Sequence, residues 1–409
     1  MDCMISRCAG LDVHKATVVA CVRVPGPDGA RATHVHTFGT TTADLLALRD
    51  WLDAWQVTDV AMESTGVYWK PVYYILEDRF RCCLVNAVHL AHVPGRKTDV
   101  QDAQWIAQCL ECGRLRGSFV PPPPIRDLRD LTRYRKALIE DRTREANRLH
   151  KVLQDAGIRL SNVATDILGV SGRAMLAALV QGTTDPTVLA DLARGKLRRK
   201  LPALRAALAG RFRAHHAQLV GHLLAHLEYL DEMIADLSGH VATHLAPFAA
   251  PLARLLTIPG IDQRTAEVLL AELGPEMTVF PTAGHAASWA GLCPGQHQSA
   301  GKRRPTRTRH GNRWLRKTLL QAALGVTRKR DSALAARYYR IRRHRGHKKA
   351  AIAVAHALVV TVYHVLVRNC DYRELGADYL DRQSADRTQR RAVHALERLG
   401  YRVTLETAA

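Results

Sequence analysis

Hydrophobic and polar positions follow a strand period at the start of the chain and a helical period after it. Cys8 to Asp12 is a short apolar run closed by an acid, Thr17 to Val24 is β-branched and apolar, and Thr33 to Phe38 alternates. The cluster Pro25-Gly26-Pro27-Asp28-Gly29 reads as a turn between the second and third runs. Together they predict a three-stranded antiparallel meander. A helix is predicted from Ala43 to Trp55, with Leu45, Leu46, Leu48, Trp51, Leu52 and Trp55 on its apolar face. Val57 to Met62 then reads as a strand ending at Glu63, Tyr68 to Phe80 as a helix, and Cys82 to Val85 as a strand. After the Pro94-Gly95 break a helix starts at Thr98, where Thr98 and Gln101 fit a capping box. The order β-β-β-α-β-α-β-α is that of the ribonuclease-H-like α/β fold, and it sets a first domain over residues 1–120.

The rest of the chain predicts an all-α architecture. Pro121 to Pro124 marks a boundary, and helix resumes from about Ile125 toward Gln154. Leu131, Leu138 and Val152 follow a heptad that Glu145 interrupts. Val220, Leu223, Leu227, Leu230, Ile234, Leu237 and Val241 alternate spacings of three and four, the a/d seam of a coiled coil. This helical spacer spans residues 121–248. Its seam is expected to form a dimer contact, with an intrachain hairpin as the alternative. Leu255 to Gly274 holds the tight turn Pro259-Gly260-Ile261 and a helical face of Ala266, Leu269, Leu270 and Leu273. It reads as a helix-hairpin-helix, whose free N–H groups near Gly260 grip a phosphate, or as a plain packing element. Ala350 to Val367 lacks Asp, Glu, Lys and Arg for 18 residues, the lower limit for a membrane span. His356, Tyr363 and His364 and the basic surroundings favour a buried core helix and no membrane. A mostly helical third domain thus covers residues 249–370. A tail follows over residues 371–409, in which Arg391 to Thr404 reads as one helix and a strand.

Charge adds a partner to this picture. Against 59 Lys and Arg stand 38 Asp and Glu, for a net charge of +21. Between Gly301 and Lys349 there are 18 basic residues and one acid, Asp331, so +17 of that excess falls in one stripe. So concentrated a stripe points to a polyanion, since each phosphate contact releases counterions. Nine cysteines, an odd number, and the absence of a basic-then-apolar start suggest free thiols in a reducing cytoplasm. Cys109 and Cys112 have no second pair at zinc spacing and read as packing thiols.

Four acids fall where chemistry gathers. Asp12 closes the first strand and Glu63 the fourth, and strand carboxyl ends are where α/β sheets place functional groups. Asp99 and Asp102 share one helix face. Carboxylates brought together repel unless a cation neutralises them, and oxygen ligands suit Mg²⁺, of which a pair can polarise a phosphate and activate the attacking oxygen. Taken singly, each acid reads as a structural or helix-dipole residue.

Ser299 lies in Gln298-Ser299-Ala300-Gly301-Lys302-Arg303-Arg304, a small-residue loop followed by cations. Nearby cations favour a serine alkoxide and hold the phosphate it attacks. A structural turn serine is the plain alternative, and His297, two residues away, points elsewhere in a strand. Gly311 to about Arg328 predicts a helix buried through Leu315, Leu319, Ala322, Ala323 and Val326. Arg313, Arg316 and Lys317 are its expected phosphate-facing side, and Lys302, Arg303, Arg304, Arg307 and Arg309 extend the same interface.

Three blocks in order carry a family resemblance. They are Gly10-Leu11-Asp12-Val13-His14-Lys15; Glu63-Ser64-Thr65-Gly66-Val67-Tyr68-Trp69 with Lys97-Thr98-Asp99-Val100-Gln101-Asp102-Ala103; and Ile258-Pro259-Gly260-Ile261 with Gln298-Ser299-Ala300-Gly301-Lys302. Over about residues 8–368 the chain resembles the IS110 family of bacterial insertion-sequence transposases, the DEDD transposases or bridge-RNA-guided recombinases. The resemblance implies a RuvC-like catalytic domain whose DEDD set is Asp12, Glu63, Asp99 and Asp102. It also implies a serine nucleophile at Ser299 that forms a covalent phosphoserine link to DNA before strand exchange and religation. Donor and target DNA, a structured bridge RNA and a dimer-of-dimers assembly are the implied partners. Two other functions fit the residues without the resemblance: a RuvC-like nuclease or junction resolvase that uses water, and a non-enzymatic basic nucleic-acid binder.

Overall fold

The computed structural model describes residues 3–26, 30–64, 66–86, 98–304, 307–382 and 385–405. The Pro27-Asp28-Gly29 turn, the Pro94-Gly95 break, Thr65 and Lys97 lie outside the described residues. The chain divides into two compact units, 1–121 and 122–409.

The first unit is a mixed sheet with helices on both faces. Its strands are β1 (Cys8–Val13), β2 (Thr17–Pro25), β3 (Arg31–Gly39), β4 (Asp59–Glu63) and β5 (Arg81–Val85), with helices α1 (Thr42–Ala54), α2 (Trp69–Leu76) and α3 (Asp99–Glu111). The sheet order is β3-β2-β1-β4-β5. The meander pairs antiparallel, while β1–β4 and β4–β5 are parallel. This arrangement is compatible with the expected ribonuclease-H-like domain. Strand alternation sorts the residues into two layers. Ala9, Leu11, Val13, Val60 and Met62 pack with Leu45, Leu48, Leu52, Val72 and Leu76 of α1 and α2. Cys8, Ala61 and Val85 pack on the other face with Ile106 and Leu110 of α3. Gly10 belongs to that second face. A Cβ there would lie 2.3 Å from the Ala107 nitrogen and 2.4 Å from the Ala103 oxygen, so only glycine lets α3 seat on β1.

The second unit is helical. A long hairpin is formed by α4 (Pro123–Asp155) and α8 (Ala214–Leu245), and α5 (Val170–Val180), α6 (Pro186–Asp191) and α7 (Leu201–Leu208) cap one end of it. Val220, Leu227, Leu230, Ile234, Leu237 and Val241 are all buried, and Leu138 of α4 packs with Leu230, Ile234 and Leu237. Ion pairs Arg142–Asp231 and His226–Glu145 flank the seam. The heptad stripe is therefore spent inside the chain, which corrects its expected use as a subunit contact: the spacing specifies an apolar stripe and leaves its partner open.

The remaining helices are α9 (Ala249–Leu256), α10 (Gln263–Leu273), α11 (Ala283–Trp289), α12 (Arg313–Val326), α13 (Ala333–Arg345) and α14 (His347–Arg368). They are followed by α15 (Tyr379–Arg382) and α16 (Ala385–Glu397). The two-stranded ribbon β6 (Gln298–Ser299) and β7 (Lys302–Arg303) lies between α11 and α12. Residues expected as separate spacer and third domains share this unit, because α4 is tied to α10. Arg133 reaches both carboxylate oxygens of the fully buried Glu272 at 2.7 and 2.8 Å, Arg129 donates to the Ala271 and Glu272 carbonyls, and Arg135 pairs with Glu267. Among the described residues α14 is the one helix long and apolar enough to cross a membrane, but Val354, Leu358, Val362 and Leu366 are buried in the helical core. In the tail the helix begins at Ala385, ahead of the expected Arg391, and residues 401–405 form no strand.

Candidate active site

The acidic end of the first unit follows from the same alternation. The parallel pairing of β1 with β4 runs as far as Leu11 and Met62, so Asp12 and Glu63 come level one residue later, on the face that α3 covers. Helix α3 runs antiparallel to β1: Ala107 accepts from the Cys8 thiol while Ala103 lies over Gly10. Its first turn therefore opens beside Asp12. The Thr98 hydroxyl accepts the Gln101 amide there and fixes the helix start that carries Asp99 and Asp102.

His14 sits between these acids. Its Nε2 is 3.0 Å from Asp12 Oδ2 and 3.6 Å from Asp99 Oδ1, and the ligand atoms of Asp12, His14 and Asp99 lie within 4.8 Å of one another. Burial raises the Asp12 pKa, the His14 charge and hydrogen bond pull it down, and Asp99 and Asp102 raise it again. Ionised Asp12 thus lacks a full complement of positive charge, which a bound cation would supply. Glu63, at the matching level of β4, is half-buried and outside that close trio. The oxygen-rich donor set fits a hard divalent ion.

The serine is held in another way. Residues 291–304 return against residues 307–311 as an irregular ribbon. Gly295 and Arg309 donate to the Arg307 and Cys293 carbonyls, Arg304 donates to the His297 carbonyl, and Pro294 bridges Thr308. At the tip Ser299 pairs with Lys302, and Ala300 and Gly301 both take positive φ, 47° and 74°, as a tight two-residue hairpin requires. Ser299, Lys302, Arg304, Arg307 and Arg309 are exposed, and the Arg303 side chain lies outside the described residues.

Other expected phosphate contacts lie around the base of this ribbon. Arg316 is half-buried there and not fully exposed as helical spacing suggested. Its guanidinium donates to the Gly291 carbonyl at 2.9 Å and to the Thr308 hydroxyl at 2.8 Å, clamping both legs. Helical spacing put Arg316 on an outer face but could not show a loop folding back over it. Lys317 is exposed and pairs with Glu140, and Arg313 lies 5.0 Å from the Trp314 ring centre. Gly260 (φ 84°) packs on α12, where a Cβ would meet Val326 at 2.4 Å and the Ala322 oxygen at 2.8 Å. The adjoining start of α10 is already capped by the Asp262 carboxylate, which accepts the Thr265 amide at 2.8 Å. These contacts favour the packing alternative for Gly260.

Residues 9–158 match a DEDD family of IS110 elements described as "Transposase", and residues 252–340 match the family "Transposase IS116/IS110/IS902 family". The chain belongs to the IS110 family of transposases. Similar proteins include the "Transposase for insertion sequence element IS1328" of Yersinia enterocolitica, 28% identical over 56% of this chain and 59% of that protein. The "Insertion element IS110 uncharacterized 43.6 kDa protein" of Streptomyces coelicolor is 35% identical over 29% of each chain. The "Putative transposase y4pF/y4sB" of Sinorhizobium fredii is 25% identical over 69% of this chain and 66% of that protein. The matched stretches span less than two thirds of each relative.

The first IS110 match contains all four acids and the second contains Ser299 and Arg316. Sequence reasoning placed the acids but gave no role to His14 or to Gly10, although both stand in the first motif block. The signals were present: a histidine two residues past a strand-end acid, and a glycine inside a strand, which marks a close backbone approach.

Proposed function

We propose that this protein is a DNA transposase and recombinase of an insertion sequence, acting in the bacterial cytoplasm on donor and target DNA. The observation that carries the reading is the meeting of Asp12, His14 and Asp99, with the Asp102 charge acting on Asp12, at the strand end shared with Glu63. Asp12 and Asp99, with Glu63 and Asp102 at the same end, would hold Mg²⁺. Bound there, the metal supplies Lewis-acid polarisation of a phosphate and an activated oxygen.

The remaining chemistry belongs to the chain. Ser299 attacks a phosphodiester. An Oγ–P bond forms, a strand oxygen leaves, and the serine proton ends on that oxygen. A hydroxyl of another strand then reverses the step, joins the DNA and restores the serine without loss of phosphodiester energy. The exposed tip suits a nucleophile that must enter a DNA groove, and Lys302, Arg304, Arg307 and Arg309 supply positive charge along the ribbon. A bridge RNA would read sequence by base pairing while the protein reads backbone and shape. A dimer-of-dimers assembly would need a surface other than the α8 seam, which α4 occupies.

The test is a denaturing gel of protein, Mg²⁺, element-end and target DNA, and RNA transcribed from the element flank. A protein–DNA band in wild type that is absent from Ser299→Ala is the expected result. Free cleaved DNA from both proteins, with no linked band, would instead assign a water-using nuclease to the acids and a structural role to the serine.

A further inference from the structure

Helix α13 carries five residues of the basic stripe, Arg337, Arg340, Arg342, Arg343 and Arg345, that neither the acidic site nor the ribbon uses. Ala336, Tyr339, Arg340, Arg343 and His344 recur at helical spacing, so they form one face. The segment after α14 lies along that face. It is anchored by Glu374, whose Oε1 accepts the amides of Ala333, Leu375 and Gly376 at 2.9–3.1 Å, and by the Tyr372 amide on the Thr257 hydroxyl. Between the two runs a pocket of about 330 Å³, closed on the segment's side by Ala377, Leu380 and Asp381.

The lining has two kinds of chemistry. Tyr339 is 47% exposed, yet its ring is fixed because its hydroxyl donates to the Thr327 carbonyl at 3.1 Å. It offers a rigid aromatic wall above the alanine floor. Arg340, Arg343 and His344 supply cations, and one acid, Asp381, stands 3.8 Å from Arg340. Among the described residues no ion pair involves Arg343. A fixed ring one helical turn from a free guanidinium suits a planar base joined to a phosphate, and the volume lies in the range of small-ligand sites.

We propose that α13 and the segment after α14 form a pocket for one unpaired nucleotide of a nucleic-acid strand, with the base on Tyr339 and the phosphate at Arg343 and His344. The pocket deepens the nucleic-acid reading above and is independent of the cutting chemistry. A duplex keeps its bases stacked inside and offers nothing to the ring, so the preference is for single strands.

The experiment measures fluorescence anisotropy of the full-length protein with a short labelled oligothymidine and with a labelled duplex, across a salt series. Tyr339→Leu is expected to weaken oligothymidine binding about tenfold and to leave duplex binding unchanged, while Tyr339→Phe, which keeps the ring and loses only the hydroxyl bond that fixes it, weakens oligothymidine binding less than Tyr339→Leu does. Arg343→Gln is expected to weaken oligothymidine binding and to lower its log–log salt slope by about 0.7. Asp12→Asn should bind the oligothymidine as wild type does, so a failure of the catalytic reading would not touch this result. Circular dichroism melting of each variant separates loss of binding from loss of fold. Equal binding by wild type and Tyr339→Leu, or an equal loss on duplex and single strand, would overturn the pocket and leave α13 as a general cationic face. Displacement of the oligothymidine by an acidic peptide as strongly as by unlabelled oligothymidine would overturn it too.

Discussion

The acids and the serine are held by opposite means. Asp12 sits on a central strand with neighbours on both sides and a helix seated on its face, so its position is set by the core. Ser299 sits one residue from the tip of a solvent-exposed ribbon, and its position depends on a few hydrogen bonds at the base. The contrast teaches that a site can be rigid through burial or placed by a clamp. The first arrangement suits groups that must converge closely, as metal ligands do, and the second suits a group that must reach a bulky substrate.

The sharpest way to break the comparison is Gly10→Val. Its new atoms would strike the backbone of α3, which cannot turn aside, so the first unit should lose at least about 3 kcal/mol and DNA cleavage should vanish with it. A variant that melts and cleaves as wild type does would show that α3 is not held by this contact. Asp12→Asn comes next. Cleavage should be abolished with nucleic-acid binding retained. Burial and the neighbouring acids raise the Asp12 pKa, so its favourable share of stability is present below the ordinary carboxylate range and lost as pH rises through the folded-state value. Without metal, the asparagine variant should therefore melt above wild type at neutral pH, and the gap should narrow on acidification. Mg²⁺ should raise the wild-type melting temperature and not that of the variant; a gap unchanged by pH or metal would remove Asp12 from an ion site.

The contrast also explains what was legible in the sequence. Period-two alternation that ends in an acid gives a strand and its face together, so the positions of Asp12 and Glu63 and the start of α3 could be read in advance. The turn at Ala300-Gly301 was legible from its small residues. The Arg316 clamp was not, because a helical pattern names an outer face without telling whether a distant loop returns to cover it. The α8 stripe was legible and its partner was not, since Leu138 and its neighbours on α4 are broken as a heptad by Glu145 and match α8 only in three dimensions.

The smallest expected effects sharpen the serine half. Arg316→Ala removes two hydrogen bonds from a charged donor at a half-buried site and should destabilise the ribbon by about 2 kcal/mol. In hydrogen exchange, the amides of Gly295, Arg304 and Arg309 should lose protection while those of β1 keep theirs. Gly301→Ala meets open space and only has to adopt a left-handed conformation, at a cost of about 1 kcal/mol. Its effect should be confined to the tip. Equal loss of protection in the two variants would mean that the tip and not the clamp sets the ribbon.

The carboxylate of Glu272 serves three partners at once: Arg133, Arg129 and the Asn312 amide that caps α12. Loss of any one partner leaves the fully buried Glu272 carboxylate short of a hydrogen bond that water cannot readily replace. Across related chains the four residues should therefore change together or not at all. A lineage that replaces Glu272 by an apolar residue should carry matching losses of charge at 129 and 133 and a different cap at 312, a pattern of covariation that follows from desolvation alone.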